Sequence, residues 1–167
     1  MANVAAATGA GLVIGHLRGE PATMMHGIHF ERLLLEVAGE LGRAVERALR
    51  AGGALEKIAV DPGVGFGKTA EQSAALVAAS DYLMEMTGCP VVIGASRKAF
   101  LGAITGRAVQ DRLLPSVAAA VVAALHGAAV VRVHDVGPTA EALRVAWAIR
   151  RARAGALAQA EGIGPAR

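Results

Sequence analysis

Nine residues at 61–69, DPGVGFGKT, hold an aspartate, three glycines, a lysine and a threonine. The first chemistry they suggest is phosphate binding. A phosphate-gripping P-loop needs a glycine, four residues, then Gly-Lys-Ser/Thr. Counting back from Gly67-Lys68-Thr69 places that first glycine at Pro62. Proline has no backbone N–H and cannot take a positive φ, so the spacing excludes a P-loop. What remains is a carboxylate, Asp61, before a rigid turn whose glycines let backbone or ligand approach closely. Such a carboxylate can accept two parallel hydrogen bonds from the N–C–N edge of a guanine-like or pterin ring. A turn-capping aspartate is the plainer alternative.

Three other polar clusters carry possible chemistry. In VVRVHDV (130–136), Arg132 and His134 have the same strand parity and share a face. An arginine there is costly to bury unpaired. It is either half of a structural ion pair, with Asp135 or a helix carboxylate, or an anion site in which guanidinium grips phosphate and His134 adds a donor. In GASRKAFLGAITG (94–106), Ser96, Arg97 and Lys98 sit where a strand turns into a helix, and helix N-termini favour anions. A simple N-cap explains the same residues. His16 and Arg18 follow a third apolar run. His26 and His29 have metal-like spacing but no nearby carboxylate or cysteine cluster, and read as polar positions at a helix start beside a packing pair, Met24-Met25.

The elements that must position these residues alternate. Strands are expected at 11–17, 55–61, 90–96 and 128–136, and helices at 29–53, 70–88, 110–127 (at least from Pro115) and 139–154, the last capped by Thr139. In the 29–53 helix, Leu33, Leu34, Val37, Leu41, Val45 and Leu49 recur at three- and four-residue steps. Alternation without hairpin signals argues a parallel α/β sheet, either a four-stranded open sheet or half of an eight-stranded barrel. In parallel folds, sites form at the carboxyl ends of strands, which is where all four polar clusters fall.

Composition bounds the alternatives. The 167 residues are 54% hydrophobic and 19% charged, enough for one globular domain. The net charge is +3, much of it from Arg150, Arg151, Arg153 and Arg167 near the C-terminus. Aromatics are 3%, and a nucleic-acid surface would need a broader basic face and stacking rings. A single cysteine, Cys89, cannot form an internal disulfide, and no secretory pattern opens the chain. The expected setting is cytoplasmic. The longest apolar run, 117–125, is far short of the roughly 20 residues that span a bilayer.

Taken together, GHLRGEPATM (15–24), DPGVGFGKT (61–69), GASRKAFLG (94–102), RLLPSVAAAV (112–121) and RVHDV (132–136) resemble the dihydropteroate synthases, in the family's order and over nearly the whole chain. The resemblance implies a TIM (β/α)8 barrel of the pterin-binding type, of which this chain matches the C-terminal half, from the fifth strand to the eighth helix. Residues 1–155 would form this partial barrel domain, and 156–167 a flexible tail. The implied reaction joins 6-hydroxymethyl-7,8-dihydropterin diphosphate to p-aminobenzoate in folate biosynthesis and releases diphosphate. By resemblance, Asp61, Lys98 and Gly94 bind the pterin, Arg132 and His134 the diphosphate, and Ser96, Arg97, Phe66 and Gly65 border the p-aminobenzoate. Magnesium is implied as cofactor, with its ligand in the N-terminal half and none in this chain. Full-length members are expected to be homodimers.

Two residues depart from the family pattern. Ala99 stands where many members have serine, and Gly15 where members often have a bulky apolar residue against the pterin. The missing half implies that the chain needs a complementary half and is inactive alone. Two alternatives stay open: another pterin-binding barrel of the methyltetrahydrofolate methyltransferase type, and a non-catalytic half-barrel subunit.

Overall fold

The computed structural model describes residues 1–20 and 22–160. Strands and helices alternate as the periodicity predicts. A short helix, Ala2–Thr8 (α1), stops at Gly9 in the left-handed region, and Leu12–Gly15 (β1) follows. Helix Leu33–Arg50 (α2) starts four residues later than expected. Its first turn is fixed by Glu36, which accepts the Arg32 N–H at 2.6 Å. His26 and His29 therefore lie in the loop before the helix and not at its start.

Strand Ile58–Asp61 (β2) runs in parallel register with β1, Leu12 beside Ile58 and Gly15 beside Asp61. Strands Val92–Ile93 (β3) and Val130–Val131 (β4) pair in parallel. A bridge between Val60 and Val91 joins the two pairs, giving the spatial order β1-β2-β3-β4 among the described residues. The last two strands are much shorter than the 90–96 and 128–136 runs predict. Arg132 N–H still reaches the Ile93 carbonyl at 2.9 Å, but His134 N–H turns to the Ser96 hydroxyl at 3.3 Å. The ladder ends there because its donors are diverted into the site.

The single helix expected over 70–88 is two helices, Ala70–Val77 (α3) and Ser80–Thr87 (α4). Thr69 and Gln72 form a capping box at the start of α3. The break follows from Asp81, whose N–H leaves the helical ladder for the His126 carbonyl at 2.9 Å. Helices Ala99–Thr105 (α5) and Leu113–Leu125 (α6) precede β4. The final helix, Val136–Ala160 (α7), begins three residues before the expected Thr139 cap. Thr139 is buried in its first turns, and its hydroxyl donates to the Asp135 carbonyl at 2.8 Å. Pro138 is tolerated because N–H groups of a first turn have no helical partner. The helix passes the expected boundary at 155 by five residues. The rest of the expected tail, 161–167, lies outside the described residues.

Val37, Leu41 and Val45 of α2 pack with Ile58, Val60, Leu76, Leu83, Val91, Ile93 and Phe100 to form the core. Leu49, expected on the same stripe, is exposed, and Ala48 takes the buried position. On the other side of the sheet, Val13 and Val130 are more than half exposed along an open groove of about 630 Å3, floored by Val92 and Val131. Among the described residues, no helix is long and apolar enough to cross a membrane.

Candidate functional site

Asp61 is the last residue of β2, at the carboxyl end of the sheet. Its Oδ1 accepts the Gly63 N–H at 2.8 Å, and its Oδ2 lies 3.3 Å from Nη2 of Arg132. The turn-capping role and a charged role thus coexist on one carboxylate. The turn requires glycine at 63. Its φ is +69°, and a Cβ there would fall 2.0 Å from the His16 carbonyl oxygen.

Lys98 approaches from the start of α5. Its Nζ stands 3.6 Å above the Phe66 ring, a cation–π contact. Gly65 makes room for it, because a Cβ at Gly65 would lie 3.2 Å from Lys98 Cδ. Burial holds the Lys98 ammonium below the usual lysine range, and the neighbouring Arg132 charge adds to this. Gly94 lies under the Arg132 guanidinium, where a Cβ would fall 2.6 Å from Nη2. Val13, Gly15, Asp61, Phe66 and Arg132 line a groove of about 490 Å3 at this mouth.

Ser96 is buried and organises His134. Its hydroxyl accepts the His134 backbone N–H and lies 2.9 Å from Nδ1 of the same residue. A hydroxyl that accepts one bond is disposed to donate the other, which leaves Nε2 of His134 as the ring nitrogen available to a ligand.

Arg97 has φ 58°, the one left-handed non-glycine conformation among the described residues. Such a conformation costs on the order of 1–3 kcal/mol and persists where the surroundings over-determine it. Here Arg97 N–H donates to Ser116 Oγ at 2.9 Å, and its carbonyl accepts from Arg112 at 3.0 Å. Its guanidinium grips Asp135 through two bonds, at 2.7 and 3.2 Å. Asp135 is therefore the partner of Arg97, and the ion pair considered for Arg132 is made with Asp61 instead.

The residues singled out by sequence thus converge on one end of the sheet. Asp61, Gly65, Phe66, Gly94, Lys98 and Arg132 share one mouth, Ser96 joins His134, and Arg97 joins Asp135. Sequence reasoning missed a partly buried chain beneath them. Lys68, only 3% exposed, donates to Nδ1 of His16 and to the Phe66 carbonyl, each at 3.0 Å. His16 Nε2 in turn donates to Glu40 at 3.0 Å. Arg18 closes the chain, donating to Glu40 at 2.9 Å and to Glu36 at 2.7 Å, its guanidinium 4.0 Å from the Phe30 ring centroid. Burial, with the Lys68 charge, pushes His16 down to about 4, and burial pushes Lys68 down to about 8. Hydrogen bonding from Arg18 holds Glu40 below the usual carboxylate range. The available signal was the pair Glu36 and Glu40, one helical turn apart on α2, opposite a strand that runs into His16 and Arg18.

Magnesium was expected with its ligand outside this chain. Among the described residues no group of three or more His, Cys, Asp or Glu could hold a metal ion.

A carboxylate and two cations at the carboxyl end of a parallel α/β sheet stand where such folds place their ligand sites. Residues 1–134 match the family model described as pterin binding enzyme, and the chain belongs to that family. It is similar to the dihydropteroate synthase of Neisseria meningitidis serogroup B, with 41% identity over 81% of this chain and 48% of that protein. It is also similar to the dihydropteroate synthase of Escherichia coli K12, with 36% identity over 89% of this chain and 52% of that protein. Among solved structures, the Stenotrophomonas maltophilia dihydropteroate synthase with active site-bound imidazole superposes with a TM-score of 0.84 at 40% identity, covering 89% of this chain and 56% of that one. The Yersinia pestis enzyme in complex with a sulfonamide drug gives 0.85 at 35% identity, covering 90% and 54%. The chain spans about half the length of the relatives it matches.

Proposed function

We propose that this chain carries the C-terminal half of a dihydropteroate synthase barrel, its last four βα units. It would contribute half of a site that joins 6-hydroxymethyl-7,8-dihydropterin diphosphate to p-aminobenzoate. The observation that carries the reading is the meeting of Asp61 and Arg132, from β2 and the end of β4, at 3.3 Å over one groove. Asp61 Oδ2 accepts hydrogen bonds from the amino-pyrimidine edge of the pterin, and Lys98 bonds the ring from the other side. Arg132 and Nε2 of His134 take the diphosphate. Ser96, Arg97, Phe66 and Gly65 border the arylamine.

In the reaction, the bond between the pterin methylene and the diphosphate oxygen breaks, and the arylamine nitrogen bonds to that methylene and loses a proton. Arg132 and His134 stabilise negative charge as diphosphate departs. Asp61 and Lys98 keep the methylene in place for attack. No step is assigned to magnesium. Residues 1–155 are the domain in this reading, and a homodimer of full barrels is its assembled form.

Calorimetric titration of the chain with a pterin diphosphate, with Asp61→Asn as control, tests the reading. Saturable binding that the variant loses supports it. Binding of a methylfolate and not of the pterin diphosphate would favour the methyltransferase type instead.

A further inference from the structure

We propose that Lys68 is a positioning residue: from a buried seat between the end of β1 and the glycine turn, it sets the height of Phe66 and, through Phe66, the place of Lys98. The geometry is a continuous chain. Glu40 holds His16 from α2, His16 and the Phe66 carbonyl hold the Lys68 ammonium, and the Phe66 ring lies 3.6 Å beneath Lys98 Nζ. Lysines are almost never fully buried unless paired. Lys68 is buried, its Nζ 5.8 Å from the Phe30 ring centroid. Two of its three donors are spent on acceptors that belong to different segments, residue 16 and residue 66. The ammonium therefore ties β1 to the turn, and it does so at the one residue of the turn whose ring reaches the site.

Four titratable or charged groups face Lys68 besides its own hydrogen-bond partner Phe66. His16 meets it from just past β1, Arg18 from the loop beyond, Asp61 from β2 and Glu40 from α2. Burial, opposed by the charges of Asp61 and Glu40, brings its ionisation to about 8. His16, pushed down to about 4, stays a neutral acceptor through that range. Loss of the proton removes one donor and weakens the other two, since charge-assisted hydrogen bonds are the stronger kind. The Phe66 ring should then shift as pH rises through about 8. Only the functional meaning of the tie rests on the pterin reading.

The experiment is side-chain NMR of the chain, without ligand. The Lys98 Cε protons are expected upfield, under the Phe66 ring current, and Phe66→Leu calibrates the full shift. Lys68→Met should lose at least about half of that shift. In the unaltered chain, the Phe66 ring signals should move with a midpoint near pH 8. The same step should persist in Lys98→Met, which removes the cation over the ring, and vanish in Lys68→Met. An unchanged Lys98 shift in folded Lys68→Met overturns the proposal. So does a Phe66 step that disappears in Lys98→Met, a result that decides the matter even where Lys68→Met does not fold. Failure of pterin binding in calorimetry would sink the functional reading and leave this result standing.

Discussion

Asp61 and Arg132 lie 71 residues apart in sequence and face each other at 3.3 Å across the carboxyl end of the sheet. One oxygen of Asp61 is committed to the Gly63 turn, so a ligand edge must compete with Arg132 for the other. The Arg132 side chain is 64% exposed, and its pairing with Asp61 is a weak surface one. A pterin that displaces the guanidinium from Asp61 would release it toward an anion on the same ligand. On the proposed function, the two halves of a pterin diphosphate would be read in one exchange.

Asp61→Asn separates the two jobs of the carboxylate. The amide oxygen can still accept the Gly63 N–H, so the melting temperature should change little. The charged hydrogen bonds to the ligand are lost, which are worth about 1.5–3 kcal/mol each. Calorimetry should show pterin binding weaker by roughly 10- to 100-fold for each bond lost. Arg132→Ala should instead abolish the preference for the diphosphate over the bare pterin.

Acid should destabilise this fold through His16. Its folded value of about 4 lies below the ordinary 6.5, so the unfolded chain takes up a proton first as pH falls. The stabilisation is fully present above about pH 6.5 and is lost progressively down to about 4. The slope in that window is on the order of 1 kcal/mol per pH unit. Urea unfolding from pH 7 to pH 4.5 measures it, and a His16→Gln chain with the same slope would place the effect elsewhere.

The alternation of strands and helices was legible because covered parallel strands read as short apolar runs, such as KIAV and VVIG. The polar mouths were legible because Asp61, Ser96-Arg97-Lys98 and His134 follow those runs directly. Strand lengths were not, since the ends of β3 and β4 are set by where the Ser96 hydroxyl draws His134 N–H away from the ladder. Nor was the break between α3 and α4, which depends on a carbonyl at His126, 45 residues along the chain from Asp81. The partners of Arg132 and Asp135 were open for the same reason: charge pairing across a fold has no local signature. Lys68 escaped notice as a separate group because its motif drew attention to the glycines, and its burial is a tertiary fact.

Gly15 lines the groove beside Asp61, yet nothing in the backbone calls for a glycine there. Its φ is not positive, and a Cβ would meet nothing within 4 Å. A glycine inside a strand costs roughly 0.5–1 kcal/mol relative to alanine, and often marks close approach by a ligand. Gly15→Ala should therefore raise stability by about that amount in urea unfolding. Gly15→Met should narrow the groove and cost binding of pterins with bulky ring substituents more than of unsubstituted ones. Equal losses for both would argue that the open wall has no bearing on ligand choice.

The open side of the sheet predicts association. β1 and β4 each have a neighbour on one side alone among the described residues, and unpaired edges template pairing with other chains. Between them Val13 and Val130 stand exposed along an apolar groove of about 630 Å3. Exposed apolar surface of this kind marks an interface or an aggregation surface. Light scattering should thus give a mass above that of one chain, and Val13→Lys, which puts a charge in this groove, should lower it. If a complementary half-barrel is the natural cover, adding the N-terminal half of a synthase should break the self-associated form into a one-to-one complex. A monodisperse monomer of the unaltered chain would mean that these edges are protected, and the half-barrel reading would lose its main physical consequence.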